Sequence, residues 1–249
     1  MFSLHTWLEW GCFINLVKHI PFSPETIAPQ RGSHSTSAST QIAGKRIVLH
    51  TLKWAQHAGR NSVKSKAMEK NDSRRLIRAF LIAGIALGFL LVVHLVFWLG
   101  NLNPGALGVM PRKWMGLTGI LTSPLVHSDW AHFFSNAAPL FVMISAAVYF
   151  YAPAFKRAVT WMWFMTGAWV WVAGHAGSHI GASGMVYALA GFLFFSGVFR
   201  RHPQNIALSL AIAFFYGGLI WGVLPVQEGV SWESHLFGLL AGVVLAWYF

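Results

Sequence analysis

Cysteine is almost missing from this chain: Cys12 stands alone among 249 residues. An internal disulfide and a cysteine-based metal site are therefore excluded. Charge is nearly as scarce, at 10% of residues, and acid is scarcer than base, with seven Asp+Glu against eighteen Lys+Arg. A soluble domain of this size needs a more polar surface. No convincing signal peptide opens the chain, because Phe13 to Val17 is too short for an h-region and Glu9 sits where a basic n-region belongs. Period-two alternation is also lacking, which argues against a membrane barrel.

What is present is apolar. Hydrophobic residues make up 55%, with Trp 13 and Phe 20. The net charge of +11 is not a nucleic-acid footprint. Twelve of the eighteen basic residues precede position 79, and the rest fall in three pairs, Arg112/Lys113, Lys156/Arg157 and Arg200/Arg201. Basic pairs between apolar runs are the pattern of loops that face an anionic lipid surface, so the expected partner is the bilayer.

The chain divides at about residue 75. Residues 1–75 are basic with little apolar periodicity, and read as a poorly ordered or loosely surface-bound extension. Two other readings of it stay open: an organellar targeting extension, or residues upstream of a true start at Met68. Six apolar stretches follow at approximately 77–99, 132–151, 158–175, 183–199, 206–224 and 234–249. Several are at the short end of the roughly 17–25 residues a spanning helix requires. In lipid, such runs satisfy their backbone only as helices or closed barrels, and the lack of period-two alternation leaves helices. The expected fold is an all-α membrane protein, a six-transmembrane-helix bundle over 76–249.

Orientation follows from the basic residues. With the N-terminus cytoplasmic, sixteen Lys+Arg lie inside and only Arg112 and Lys113 outside. Spans two, four and six then enter from the outer face. His132 and Asn136 open span two, Ser183 opens span four and His235 opens span six, so their side chains are expected at one depth. Polar groups inside a bilayer are costly and mark candidate sites.

The chemistry read from that set is acyl transfer. Ser183 would be the nucleophile and His235 the base. Glu233, two residues before His235, points elsewhere on a helix, so a dyad is expected rather than a triad. His132 and Asn136, at i and i+4, share a face and could donate to an oxyanion together with the Ser183 backbone N–H. Gly184 keeps the backbone beside the nucleophile open. Gly238 and Gly242, with Ala188 and Gly191, would let the fourth and sixth spans approach closely. Each feature alone has a plainer explanation. A lone serine in a membrane helix usually packs, and Gly181-Ala-Ser-Gly184 is not G-x-S-x-G, since Met185 holds the last position. His175 and His179 have the spacing of a metal pair but lack H-E-x-x-H, so a loop role is expected. His94 and His127 are expected near the outer interface, partly solvated.

At these residues the sequence resembles the rhomboid family of intramembrane serine proteases. Three segments carry the resemblance: His127-Ser-Asp-Trp-Ala-His132-Phe-Phe-Ser-Asn136, Gly181-Ala-Ser183-Gly184-Met-Val-Tyr187 and Ser234-His235-Leu-Phe-Gly238-Leu-Leu-Ala-Gly242. It implies a six-helix core, transmembrane protein substrates and no metal or cofactor. It also assigns Ser183 and His235 to the dyad, His132 and Asn136 to the oxyanion, and Tyr187 to a ring packed on the catalytic histidine. Two departures stand out. Pro111-Arg-Lys-Trp114 replaces the family's Trp-Arg pair, and Phe237 stands where many members have a small residue. The lack of a clear presequence and the natural start near Met68 point to a bacterial inner membrane, with the site towards the outer face by the basic-residue topology; the mitochondrial inner membrane is the alternative. Some relatives lack activity and act as binding or quality-control modules, but these usually lack the serine or the histidine. A small transporter with a histidine proton relay would show internal repeats, and none is seen.

Overall fold

The computed structural model describes residues 70–226 and 229–249. Among these there is no strand, only an isolated antiparallel bridge between Val109 and His179. Five long helices among the described residues form the architecture: α1 (Lys70–Leu99), α2 (Trp130–Ala173), α3 (Ser183–Arg200), α4 (Pro203–Tyr216) and α5 (Trp232–Tyr248). All six apolar stretches fall essentially in helix. By length and composition, four helices can cross a membrane: α1, α2, α3, and α4 with its 3-10 continuation to Val223.

The 44-residue α2 carries two of the expected spans. Tyr151, with φ −126° and ψ 31°, breaks it. Two residues later Pro153 has no N–H to donate, and its ring crowds the carbonyl four residues back. The chain doubles back there, because both ends of α2 reach the segment 100–129. Gly167, in the second arm, lies against Ile120 so closely that a Cβ would sit 3.0 Å from the Ile120 Cα. Trp171 Nε1 donates to the Lys113 carbonyl at 3.0 Å, and Arg112 Nη1 donates to the Gly174 carbonyl at 2.8 Å. The Arg112 side chain and the Lys113 backbone thus tie this segment to the second arm of α2.

α3 is the axis of the fold. Every residue from Gly184 to Leu193 is buried. Its tightest neighbour is α5. A Cβ on Gly238 would overlap the Gly184 carbonyl, one on Gly242 would overlap the Ala188 carbonyl, and one on Gly191 would stand 2.8 Å from the Leu239 carbonyl. Small residues are therefore what bring these backbones together, as helices in lipid require. By contrast, α1 and α4 turn large apolar side chains outward, with Ile85 72% and Phe214 82% exposed. Such surface suits lipid and not water.

The described part of α1 runs from Lys70, so residues 70–75 are helical, and the reading of 1–75 as poorly ordered lies otherwise outside the described residues. The fifth stretch is not α-helical throughout. After Tyr216 it tightens into a 3-10 helix, Gly217–Val223, which turns backbone carbonyls in a new direction.

Candidate active site

Three helix starts meet at one end of the bundle. The first turn of α2 is set by Asp129, whose carboxylate accepts from the His132 backbone N–H at 2.8 Å and so caps the helix. That bond and another from the Ser128 hydroxyl hold its carboxyl below the usual carboxylate range, the hydroxyl contributing most. This cap places His132 and Asn136 on the face that looks at the loop before α3.

The loop closes on them through Gly181. Its φ of +104° lies where L side chains are strained, and a Cβ there would stand 2.5 Å from His132 Nε2 and 3.5 Å from the Asn136 amide nitrogen. Only glycine lets the backbone entering α3 lie in this notch. The Gly181 N–H donates to the Ser123 carbonyl at 2.9 Å, and the Ala182 N–H donates to His127 Nε2 at 3.4 Å. Ser183 follows as the first residue of α3, half-buried.

His127 and His94 differ from expectation. Both are 2% exposed, packed among Trp130, Phe133 and His132 rather than at a solvated interface. Burial, reinforced by neighbouring His132 and His94, pushes the His127 imidazole down to about 3. It is therefore neutral at physiological pH, and its Nε2 lone pair can take the Ala182 N–H.

His235 is held from two sides. Its ring stacks on Tyr187, with centroids 4.2 Å apart and planes 7° from parallel. Its Nδ1 lies 2.8 Å from the Gly222 carbonyl. A carbonyl only accepts, so Nδ1 carries the proton and Nε2 is left with its lone pair. Among the described residues no carboxylate takes this place: the Glu233 side chain bonds His175 instead. The 3-10 turn thus supplies the carbonyl that orients the His235 ring. Gly222 is also a close approach, since a Cβ there would overlap the Tyr187 hydroxyl and lie 3.1 Å from His235 Nδ1. Gly222→Ala should therefore tilt the Tyr187–His235 stack and cost at least about 10-fold in any His235-dependent turnover. Fluorophosphonate labelling rate beside wild type measures it, and an unchanged rate would remove Gly222 from the site.

Of the expected site residues, the structure stacks Tyr187 on His235, sets Gly181 against His132 and Asn136, places Ser183 at the start of α3, and packs Gly238 on the Gly184 carbonyl and Gly242 on the Ala188 carbonyl further down α5. It does not join Ser183 and His235 by a hydrogen bond among the described residues. Their link is the helix contact one residue away on each: a Cβ on Gly184 would stand 3.2 Å from the Ser234 carbonyl. Asn136 donates through Nδ2 to the His132 carbonyl at 3.1 Å, one turn back. His132 Nδ1 lies 3.1 Å from the Ser128 hydroxyl, which itself donates to Asp129 at 2.7 Å. With that hydroxyl proton committed to Asp129, His132 Nδ1 is the donor. Donation from Nε2 would need the imidazolium, or a turn of the Ser128 proton onto Nδ1.

Gly222 and His127 are the residues that sequence reasoning missed. His127 was visible as a histidine but misplaced, and a backbone carbonyl has no sequence signature.

A model of the Rhomboid domain matches residues 114–249. An uncharacterized protein of Mycobacterium tuberculosis is 35% identical over 173 residues, covering 65% of this chain and 72% of that protein. One of Mycobacterium leprae is 32% identical over 192 residues, 72% of this chain and 75% of that one. The "Putative rhomboid protease YdcA" of Bacillus subtilis is 27% identical over 183 residues, 67% and 83% of the two chains. With the helical membrane bundle described above, the matched domain, covering more than half of the sequence, makes this chain a member of the rhomboid family.

Proposed function

We infer that the protein is an intramembrane serine protease that cleaves transmembrane protein substrates by a Ser183–His235 dyad. His235 Nε2 takes the Ser183 proton as Oγ attacks the scissile carbonyl. The imidazolium then gives that proton to the leaving amine, so the peptide bond breaks and an ester to Ser183 remains. Water, deprotonated by the same nitrogen, hydrolyses the ester and restores the serine. The negative oxygen that forms in both steps is met by the Ser183 backbone N–H, His132 and the second Asn136 amide hydrogen.

One observation carries this reading: the His235 ring is stacked on Tyr187 and bonded at Nδ1 to the Gly222 carbonyl, which leaves Nε2 as a fixed base. Catalytic hydrogen bonds are often long before substrate is bound, so the open Ser183–His235 pair is compatible with it. The basic loops favour a cytoplasmic N-terminal side and a site near the outer face of a bacterial inner membrane.

Fluorophosphonate labelling of detergent-purified protein tests the proposal. Wild type should label, while Ser183→Ala and His235→Ala should not. A folded wild type that fails to label would favour a non-proteolytic membrane-protein-binding role. His132→Ala and Asn136→Ala should each lower turnover by about 10²–10³ or less, the range for one oxyanion donor. Steady-state cleavage of a transmembrane reporter checks this, and unchanged turnover in both removes them from the oxyanion role.

A further inference from the structure

Outside the proposed dyad, one cluster of ligating side chains among the described residues stands at the same end of the bundle. His175 and His179 lie in the loop between α2 and α3, and Glu233 lies in the first turn of α5. One ligating atom from each falls within 4.8 Å of the other two. We propose that these three residues form a binding site for a borderline divalent cation of the zinc class, fastening the loop that carries the nucleophile segment to the helix that carries His235.

The chemistry of the donors selects that class. Two imidazoles and one carboxylate suit zinc, cobalt or nickel, while magnesium and calcium prefer sets of oxygen ligands. A fourth, open position would be left for water.

The cluster is built rather than incidental. Glu233 is 3% exposed, yet its Oε2 has no hydrogen-bond partner among the described residues. A buried carboxylate oxygen without a partner is costly and invites a cation. The other oxygen, Oε1, accepts from the His175 backbone N–H at 3.1 Å and touches His175 Nδ1.

His179 shows the outer-shell pattern of a metal-bound histidine. Its Nε2 lies 3.1 Å from the His175 carbonyl, which can only accept, so Nε2 carries the proton. The Nδ1 lone pair then faces the Ser231 hydroxyl at 2.5 Å. Ser231 can turn its proton to Ser234, 2.6 Å away, which would release Nδ1 to a metal.

The loop backbone is pinned on both sides of the cluster. Arg112 holds the Gly174 carbonyl, and the Val109 and His179 backbones exchange two bonds of 2.9 Å. The ligating atoms lie within 4.8 Å of one another, so side-chain movement alone can bring them to coordination spacing. Around zinc, bonds of about 2.0–2.1 Å set the ligands roughly 3.4 Å apart.

The test uses the full chain in detergent, stripped with a chelator and titrated with Co²⁺, which reports tetrahedral coordination by visible absorption. Wild type should bind with visible bands and should gain thermal stability with Zn²⁺. Glu233→Gln keeps the shape but removes the anion, and should weaken binding by at least about 10-fold. His175→Ala should abolish the bands. Ser183→Ala should bind as wild type does, which separates this site from the dyad. Binding undiminished in both Glu233→Gln and His175→Ala would assign the ion to histidines elsewhere and overturn the proposal, as would no bands in wild type. Circular dichroism confirms that each variant is folded, and a stability gain with Zn²⁺ in wild type that Glu233→Gln lacks supports the site even if His175→Ala does not fold.

Discussion

His235→Ala protein should insert, fold and lose substrate cleavage by about 10⁴-fold or more, the scale on which nucleophile–base pairs fail when one member is removed. The reason lies in the state of the imidazole. With Nδ1–H fixed on the Gly222 carbonyl, Nε2 keeps the ring's free lone pair at the start of α5, beside α3. Alanine leaves Ser183 as an alcohol with its ordinary reluctance to ionise. Ser183→Ala should fall to a similar floor, and the double variant no lower, because residues that act as a unit are not additive. Single-turnover cleavage of a transmembrane reporter in detergent, with circular dichroism as the folding control, measures all three. Comparable turnover in Ser183→Ala and wild type would sink the dyad.

The second large effect falls on a residue that takes no part in the chemistry. Gly238→Val should lower the thermal midpoint sharply and abolish activity with it. The new Cβ would overlap the Gly184 carbonyl, and a backbone atom in a helix cannot yield as a flexible side chain does. Overpacking typically costs about 1–3 kcal/mol, and a rigid neighbour puts this site at the upper end. In lipid no hydrophobic gain offsets the lost contact, since packing itself holds the helices together. The separation of α3 from α5 would also carry Ser183 away from His235. Thermal unfolding in detergent reads the first effect and reporter cleavage the second. Wild-type values for both would show that the α3–α5 contact is not where the fold is tight.

Much of this was legible from residues because lipid leaves few choices. Apolar runs of spanning length became helices, and Gly238 and Gly242 became close-approach points, as small residues at four-residue spacing imply. What stayed hidden depended on partners distant in sequence. His175 and His179 were recognisable as a pair, but Glu233 completes the group from 58 residues beyond His175. His94 and His127 were placed near solvent because nothing local shows that Trp130 and Phe133 cover them. The Gly222 carbonyl was invisible because its direction depends on the switch from α to 3-10 geometry after Tyr216. Glycines at 217, 218 and 222 are the only trace of that switch in the sequence.

The length of α3 also sets the depth of Ser183, the proposed nucleophile. The helix has 18 residues, from Ser183 to Arg200. At about 1.5 Å per residue such a helix reaches roughly 27 Å, short of a hydrocarbon layer of about 30 Å. Arg200 and Arg201 need an aqueous or phosphate surface at their end. Anchored there, the helix leaves Ser183 a few ångströms below the opposite boundary, and any tilt lowers it further. On the proposed protease reading, the hydrolytic water would have to cross only a thin apolar layer, whereas a substrate would have to offer its scissile bond just beneath the headgroups. A substrate span would be cut near its end and not at its middle, by the measure of one helix.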